Sequence, residues 1–121
     1  MSDFAYEKGV YHVGANWQFQ FDIKDATGAP QNVSAYVLRF VGRQPGPVGT
    51  LIVNRATGGS GITVGNGDGI NDRVTVLVPV AETENAKPGI LVAALWREDV
   101  SPNTYPLVTG TVDVTVVAER P

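Results

Sequence analysis

The sequence predicts an all-β domain, and three observations support this fold class. Apolar and polar residues alternate without interruption over residues 16–23, which is the period-two pattern of a strand with one buried face. Hydrophobic residues make up 43% of the chain and charged residues only 17%, so the chain can supply a core. The 14 glycines and 8 prolines favour short strands joined by turns over helices. We therefore expect a sandwich of about seven strands.

The strand predicted at 16–23 organises this core. Its apolar side chains share one face: Trp17, Phe19, Phe21 and Ile23. Its other face is polar. Each aromatic side chain can bury about 150 to 250 Å², so the other strands are expected to pack over this one. With 121 residues the chain is long enough for one domain with one core.

Further strands are predicted where aliphatic and β-branched residues recur between turn signals. They cover residues 34–41, 50–54, 62–64, 73–79, 90–96 and 107–118. The pattern is also compatible with a first strand at 9–13. The inward side chains of the second strand are expected to be Tyr36, Leu38 and Phe40. In two later strands the alternation places valines opposite mostly polar residues: Val74, Val76 and Val78 in one, and Val108, Val112, Val114 and Val116 in the last. The nearly unbroken apolar run 90–96 predicts a strand buried on both faces or placed at the sheet centre. Residues 81–87 are expected to form at most one helical turn.

Residues 1–13 are interpreted as an extended N-terminal arm, and residues 14–121 as the sandwich domain. The arm carries apolar and aromatic residues but weak periodicity, and chain termini are usually disordered unless something holds them. We expect it to bind a partner through four side chains: Phe4, Tyr6, Val10 and Tyr11. If the arm is not the binding surface, the loops 42–49 and 98–106 are the alternatives.

Composition excludes several classes of function. The formal net charge is −3 and no basic cluster occurs, so nucleic acid is not an expected partner. The chain has no cysteine, which excludes disulfides and thiolate metal sites. No apolar run approaches 18 residues and the first residues do not resemble a signal peptide, so we expect no membrane partner and a protein made in a cytoplasm.

The segment 65–72 is the richest in turn-forming residues. Its side-chain oxygens are of the type that calcium prefers, and they come from Asn66, Asp68, Asn71 and Asp72. The spacing is not that of an EF-hand, because Ile70 stands where a ligand or glycine is wanted and no glutamate follows. A hairpin connection is the favoured interpretation, and a cation site is the alternative.

No motif indicates catalysis, so we expect that the protein is not an enzyme and uses no cofactor. His12 is the only histidine and lies in the predicted arm. No nucleophile motif accompanies it. The acidic pairs Glu82 with Glu84 and Glu98 with Asp99 are expected to be solvated loop tips rather than acid and base pairs.

The order of core and turn signals resembles a family of small β-sandwich proteins in tailed-bacteriophage virions, similar to the N-terminal immunoglobulin-like domain of baseplate upper proteins. The matching features are Gly14 with the alternation that follows it, the turn 25–30 with 32–34, the strands 36–40 and 73–78, residues 61–64 with the glycine and aspartate loop, Pro88-Gly89 before a strand, and residues 108–112. The likeness extends over nearly all of the chain after residue 13.

The resemblance implies an immunoglobulin-like antiparallel sandwich of about seven to eight strands. It also implies a virion structural protein, made in the bacterial host, that forms a homo-oligomer and binds other virion proteins of the capsid, neck, tail or baseplate. A tail or baseplate adaptor and a capsid decoration protein both fit, and no fibre or enzymatic domain is expected. The alternative is a free-standing carbohydrate-binding sandwich, whose sugar platform would use Tyr36, Trp96 or Tyr105.

Overall fold

In a computed structural model, residues 2–58, 61–99 and 105–116 are described, and the side chains of residues 2–10 and 105 lie outside this description. Within these ranges the chain forms strands and one short helix. They are β1 Ser2–His12, β2 Trp17–Asp22, β3 Leu38–Gln44, β4 Thr50–Ala56, β5 Ile62–Gly65, β6 Arg73–Val78, α1 Val80–Thr83, β7 Gly89–Arg97 and β8 Tyr105–Thr115. None of the described residues belongs to a helix that could cross a bilayer.

The strands form two sheets, which confirms the all-β sandwich predicted from the sequence. The larger sheet has the order β1-β8-β7-β3-β4, and the smaller sheet has the order β2-β6-β5. The facing orders are those of the immunoglobulin fold, where strands B, E and D oppose G, F, C and C′. One pairing departs from the antiparallel prediction, since β1 runs parallel to β8.

The core lies between the two sheets and is built around β2, as the alternation predicts. The four apolar side chains of the 16–23 segment are 7% exposed or less, and the ring centroids of Phe19 and Phe40 are 4.9 Å apart. Leu38 on β3 and the predicted valines on β6 are also buried. The period-two pattern therefore identifies the inward face of these three strands.

Strand β7 lies at the centre of the larger sheet, which is one of the two placements predicted for it. It is not buried on both faces, because only alternate side chains are buried: Leu91, Ala93 and Leu95. Ile90 on the opposite face is 51% exposed. Two strand boundaries differ from the prediction. Val116 is 59% exposed and follows the last residue of β8, and Tyr36 lies in a turn before β3 begins, although its half-buried side chain packs against the core as expected.

The segment predicted as an arm is a strand of the larger sheet along most of its length. Backbone pairs join β1 to β8 from Ser2 to His12, with an irregularity between Tyr6 and Tyr11. The predicted partner-binding role of Tyr11 is wrong, because its side chain is only 4% exposed and packs in the chain's own core. The side chains of Phe4, Tyr6 and Val10 lie outside the described residues, so their binding role stays a prediction.

Candidate functional site

One candidate site lies at the end of the sandwich where the β3–β4 hairpin meets the entry to β7. We call it the tip surface, and it comprises Pro45, Val48, Leu51, Ile52, Pro88 and Ile90. All except Val48 line a cavity of about 570 Å³, and Val48 stands on the adjoining hairpin loop. The loop closes through a hydrogen bond from the Gly49 N–H to the Gly46 carbonyl, and Gly46 adopts a φ of 73° that favours glycine.

The two halves of the tip surface are joined by Gln44, the last residue of β3. Its side-chain Nε2 donates to the Lys87 carbonyl at 2.8 Å, and its Oε1 accepts from the Lys87 N–H at 2.9 Å. The side chain is 8% exposed, so both hydrogen bonds form away from solvent. This amide therefore holds the hairpin against the start of β7.

The tip surface leaves large apolar side chains in solvent. Val48 is 94% exposed, Ile90 51% and Leu51 40%. Each fully buried side chain of this type contributes about 1.5 to 3 kcal/mol when it leaves water, and contiguous exposed apolar patches mark interaction sites. The arrangement is suited to binding another apolar surface.

A second candidate site is the outer face of the larger sheet, which points away from the core. Its apolar centre consists of Val41, Val92, Ala94 and Trp96. Cross-strand pairing sets Arg39 beside Trp96, Val41 beside Ala94, and Arg43 beside Val92. The shallow concavity between them measures about 460 Å³ and is also bordered by Glu98 and Thr109. An apolar centre containing tryptophan within a charged rim is typical of protein interfaces.

Arg39 is fixed at one end of this face. Its Nε lies 2.8 Å from the Glu98 carboxylate, and its Nη1 donates to the Asn54 side chain at 2.6 Å. The guanidinium therefore stands beside Trp96 with two of its donor groups already engaged. This end of the outer face is preorganised, which lowers the entropic cost of binding.

Two side chains of the loop 65–72, Asp72 and Asn66, direct their oxygens toward the loop's own backbone, whereas Asp68 pairs with Lys24. The carboxylate of Asp72 is buried and accepts hydrogen bonds from the N–H groups of Gly67, Asp68 and Gly69 at 2.7 to 3.2 Å. Burial raises the pKa of Asp72, but these hydrogen bonds outweigh it and hold the pKa below its usual range. The Asn66 side chain accepts from the Asn71 N–H in the same loop. The geometry supports a hairpin connection.

Of the groups considered for catalysis, four have structural partners: His12, Glu82, Glu98 and Asp99. His12 Nδ1 lies 2.7 Å from Thr115 Oγ1, and Glu82 accepts from the Asn54 N–H and pairs with Arg55. The hydrogen bond from Arg97 is the main reason that the pKa of Asp99 is lowered. Over the described ranges no group of three histidine, aspartate or glutamate side chains is arranged to hold a metal.

The aromatic residues proposed as a sugar platform are not brought together as one. The guanidinium of Arg97 lies 3.6 Å from the centroid of the Tyr36 ring and covers that face. Trp96 lies on the outer face, and the Tyr105 side chain is outside the described residues.

Sequence reasoning named the loop 42–49 only as an alternative binding surface and did not identify the outer face. The sequence feature that points to the outer face is the apolar character of both faces of the strand predicted at 90–96. No protein-family model matches the sequence, and no curated protein is significantly similar to it. Arguments about function therefore depend on these surfaces and on the resemblance in core and turn motifs.

Proposed function

We propose that this chain is a structural protein of a tailed-bacteriophage virion. It would be made in the host cytoplasm and bind other virion proteins as a tail or baseplate adaptor or as a capsid decoration protein. The order of core and turn signals along the sequence supports the phage assignment. The immunoglobulin-like strand order is compatible with it, although that fold serves many functions.

The tip surface is the observation that carries the binding role. Three large apolar side chains, Val48, Leu51 and Ile90, are exposed at one end of the sandwich, and the Gln44 bridge holds the two segments on which they stand. An assembly protein requires such a rigid apolar surface, because burial of the apolar area drives association and rigidity limits the entropy lost. Phe4, Tyr6 and Val10 remain predicted additional contacts.

The carbohydrate-binding alternative has weaker support. A sugar platform needs an accessible aromatic face, but Arg97 already covers a face of Tyr36. Trp96 is flanked by Arg39, whose guanidinium is committed to Glu98 and Asn54. The exposed side chains at the tip are aliphatic and offer few groups that could hydrogen-bond to sugar hydroxyls. These features favour a protein partner.

The proposal is tested by adding labelled protein to particles of the parent phage assembled without it. We expect the protein to bind these particles and to appear as extra density in an electron-microscopy map. Leu51→Asp and Val48→Asp should weaken binding at least about tenfold, because each places a charge in the apolar contact. Their melting temperatures should stay near the wild-type value, since both side chains are exposed.

Leu77→Asp is the matched control. Leu77 is 50% exposed but lies on β6 in the smaller sheet, away from the tip surface. This variant should bind particles as the wild type does. Absence of binding to any part of the particle would contradict the virion assignment. Equal losses of binding affinity in Leu51→Asp, Val48→Asp and Leu77→Asp would contradict the assignment of the tip surface as the contact. Specific binding to a glycan array would favour the carbohydrate alternative.

A further inference from the structure

We propose that the outer face binds a second copy of this chain across a two-fold axis, with Arg43 of each copy paired to Asp113 of the other. The inference rests on the proposed function as an assembly module and names one of its partners. It also stands on its own geometry, which concerns β3, β7 and β8.

The two charged residues lie on opposite sides of the central strand β7. Arg43 on β3 is opposite Val92, and Asp113 on β8 is opposite Ile90. Both point to the outer face, since their chain neighbours Gln44, Val112 and Val114 are buried. From strand spacing and rise, the two Cα atoms are about 12 Å apart, too far for a direct ion pair.

Neither charge is neutralised by the part of the chain that the structure describes. Among the described residues, Arg43 donates only to the Gly49 carbonyl, at 3.1 Å, and forms no ion pair. Asp113 has no hydrogen bond or ion pair with any described side chain. The other basic residue of this face, Arg39, is by contrast paired with Glu98. Among its described side chains, the face therefore carries one unpaired positive and one unpaired negative group beside an apolar strand.

This arrangement is complementary to itself. A two-fold axis that runs parallel to the sheet, between the two facing copies, and at a right angle to the line joining Arg43 and Asp113 crosses over β7 between Ile90 and Val92. It places Arg43 over Asp113 of the partner copy and Asp113 over Arg43 of the partner copy. Isologous interfaces have this property, because each contact occurs twice. Val92 would lie at the axis together with Ile90, which the outer face shares with the tip surface, so apolar area is buried at the same time as the two ion pairs form.

The size of the face sets the expected affinity. Five strands at about 4.8 Å spacing and about seven residues of strand length give roughly 500 Å² per copy. Stable interfaces bury about 800 Å² per partner, so this contact belongs with weak interfaces. We expect a dimer with a dissociation constant of about 10 μM to 1 mM. In a symmetric assembly, neighbouring copies have a high effective concentration, so a contact of this weak affinity still forms.

The test uses the full-length protein in sedimentation equilibrium from about 10 μM to 1 mM. The wild type should dimerise, and the dissociation constant should rise with salt because charges contribute. Arg43→Asp and Asp113→Arg should each raise the dissociation constant at least about tenfold, since each puts like charges in contact. An equimolar mixture of the two variants should recover dimers, and so should the double variant.

Glu84→Arg is the matched control, because it makes a charge change at an exposed site beyond α1. It should leave the dimer unchanged, and the melting temperature of every variant is measured so that unfolding is recognised. A wild type that stays monomeric at 1 mM would overturn the inference, as would single variants that dimerise normally or a mixture that fails to recover. A monomer that still binds phage particles would overturn only the dimer, whereas a dimer that does not bind them would overturn only the virion role.

Discussion

The ring of Tyr11 stacks on the ring of Phe19, with centroids 4.9 Å apart and an angle of 2° between the planes. Tyr11 belongs to β1 in the larger sheet and Phe19 to β2 in the smaller sheet. The Tyr11 hydroxyl also donates to the Gln18 carbonyl at 3.2 Å. This stack connects the N-terminal strand to the opposite side of the sandwich, which makes Tyr11 part of the domain core.

Replacing Tyr11 tests this connection. Tyr11→Ala should lower the free energy of unfolding by about 3 to 5 kcal/mol, the range for deleting a buried aromatic side chain. Tyr11→Phe keeps the ring and loses only the hydroxyl hydrogen bond, so it should cost about 1 kcal/mol. Urea unfolding of the three proteins provides the comparison. A loss below about 0.5 kcal/mol for Tyr11→Ala would mean that β1 does not contribute to the core.

The sequence predicted strands well where one face is apolar and the other polar. Strands β2 and β6 have this pattern, and their buried residues follow from it. Strand β7 was harder, because both its faces are apolar and periodicity does not show whether a second apolar face is covered by another element. No described element of the same chain covers its outer face, although the pattern also allowed burial on both faces. Strand β1 has little periodicity, and only its pairing with β8 reveals it.

Trp17 and Gln18 provide a direct test of the face assignment on β2. Trp17 is 2% exposed and its Nε1 donates to the His12 carbonyl at 2.8 Å, whereas the Gln18 side chain is exposed. Trp17→Ala should cost about 3 to 5 kcal/mol. Gln18→Ala should change the free energy of unfolding by less than about 0.5 kcal/mol. Chemical unfolding of both variants checks this difference, and equal effects would contradict the assignment.

Gln44 should be important for stability although it is polar. Gln44→Ala leaves the Lys87 N–H and carbonyl without their side-chain partners. A buried polar group without a hydrogen bond destabilises the folded state. We expect a loss of about 1 to 3 kcal/mol in the free energy of unfolding. Gln20→Ala on the exposed face of β2 is the control and should have little effect. Similar losses of unfolding free energy in Gln44→Ala and Gln20→Ala would show that the Gln44 hydrogen bonds do not hold the tip surface.

Asp72 should contribute stability that disappears at acid pH. Its folded-state pKa is lowered, so the contribution is complete above the unfolded pKa of about 3.9 and is lost as the pH falls through the lower folded value. Melting temperatures of the wild type and Asp72→Asn from pH 7 to pH 2 should therefore converge below about pH 4. Asp68→Asn, which removes an exposed ion pair with Lys24, should lower the melting temperature less at neutral pH. A constant difference between wild type and Asp72→Asn across this range would contradict the role of the Asp72 charge.

The last prediction distinguishes the two interpretations of the loop 65–72. Both carboxylate oxygens of Asp72 accept hydrogen bonds from the backbone, and the Asn66 oxygen does the same, so a calcium ion would have to displace these donors to bind. Any metal that binds only the folded state must raise the melting temperature. We expect addition of about 1 mM calcium to leave the melting temperature unchanged in the wild type and in Asp68→Ala. A rise in the wild type that is absent in Asp68→Ala would show instead that the loop is a cation site and that its backbone rearranges to form it.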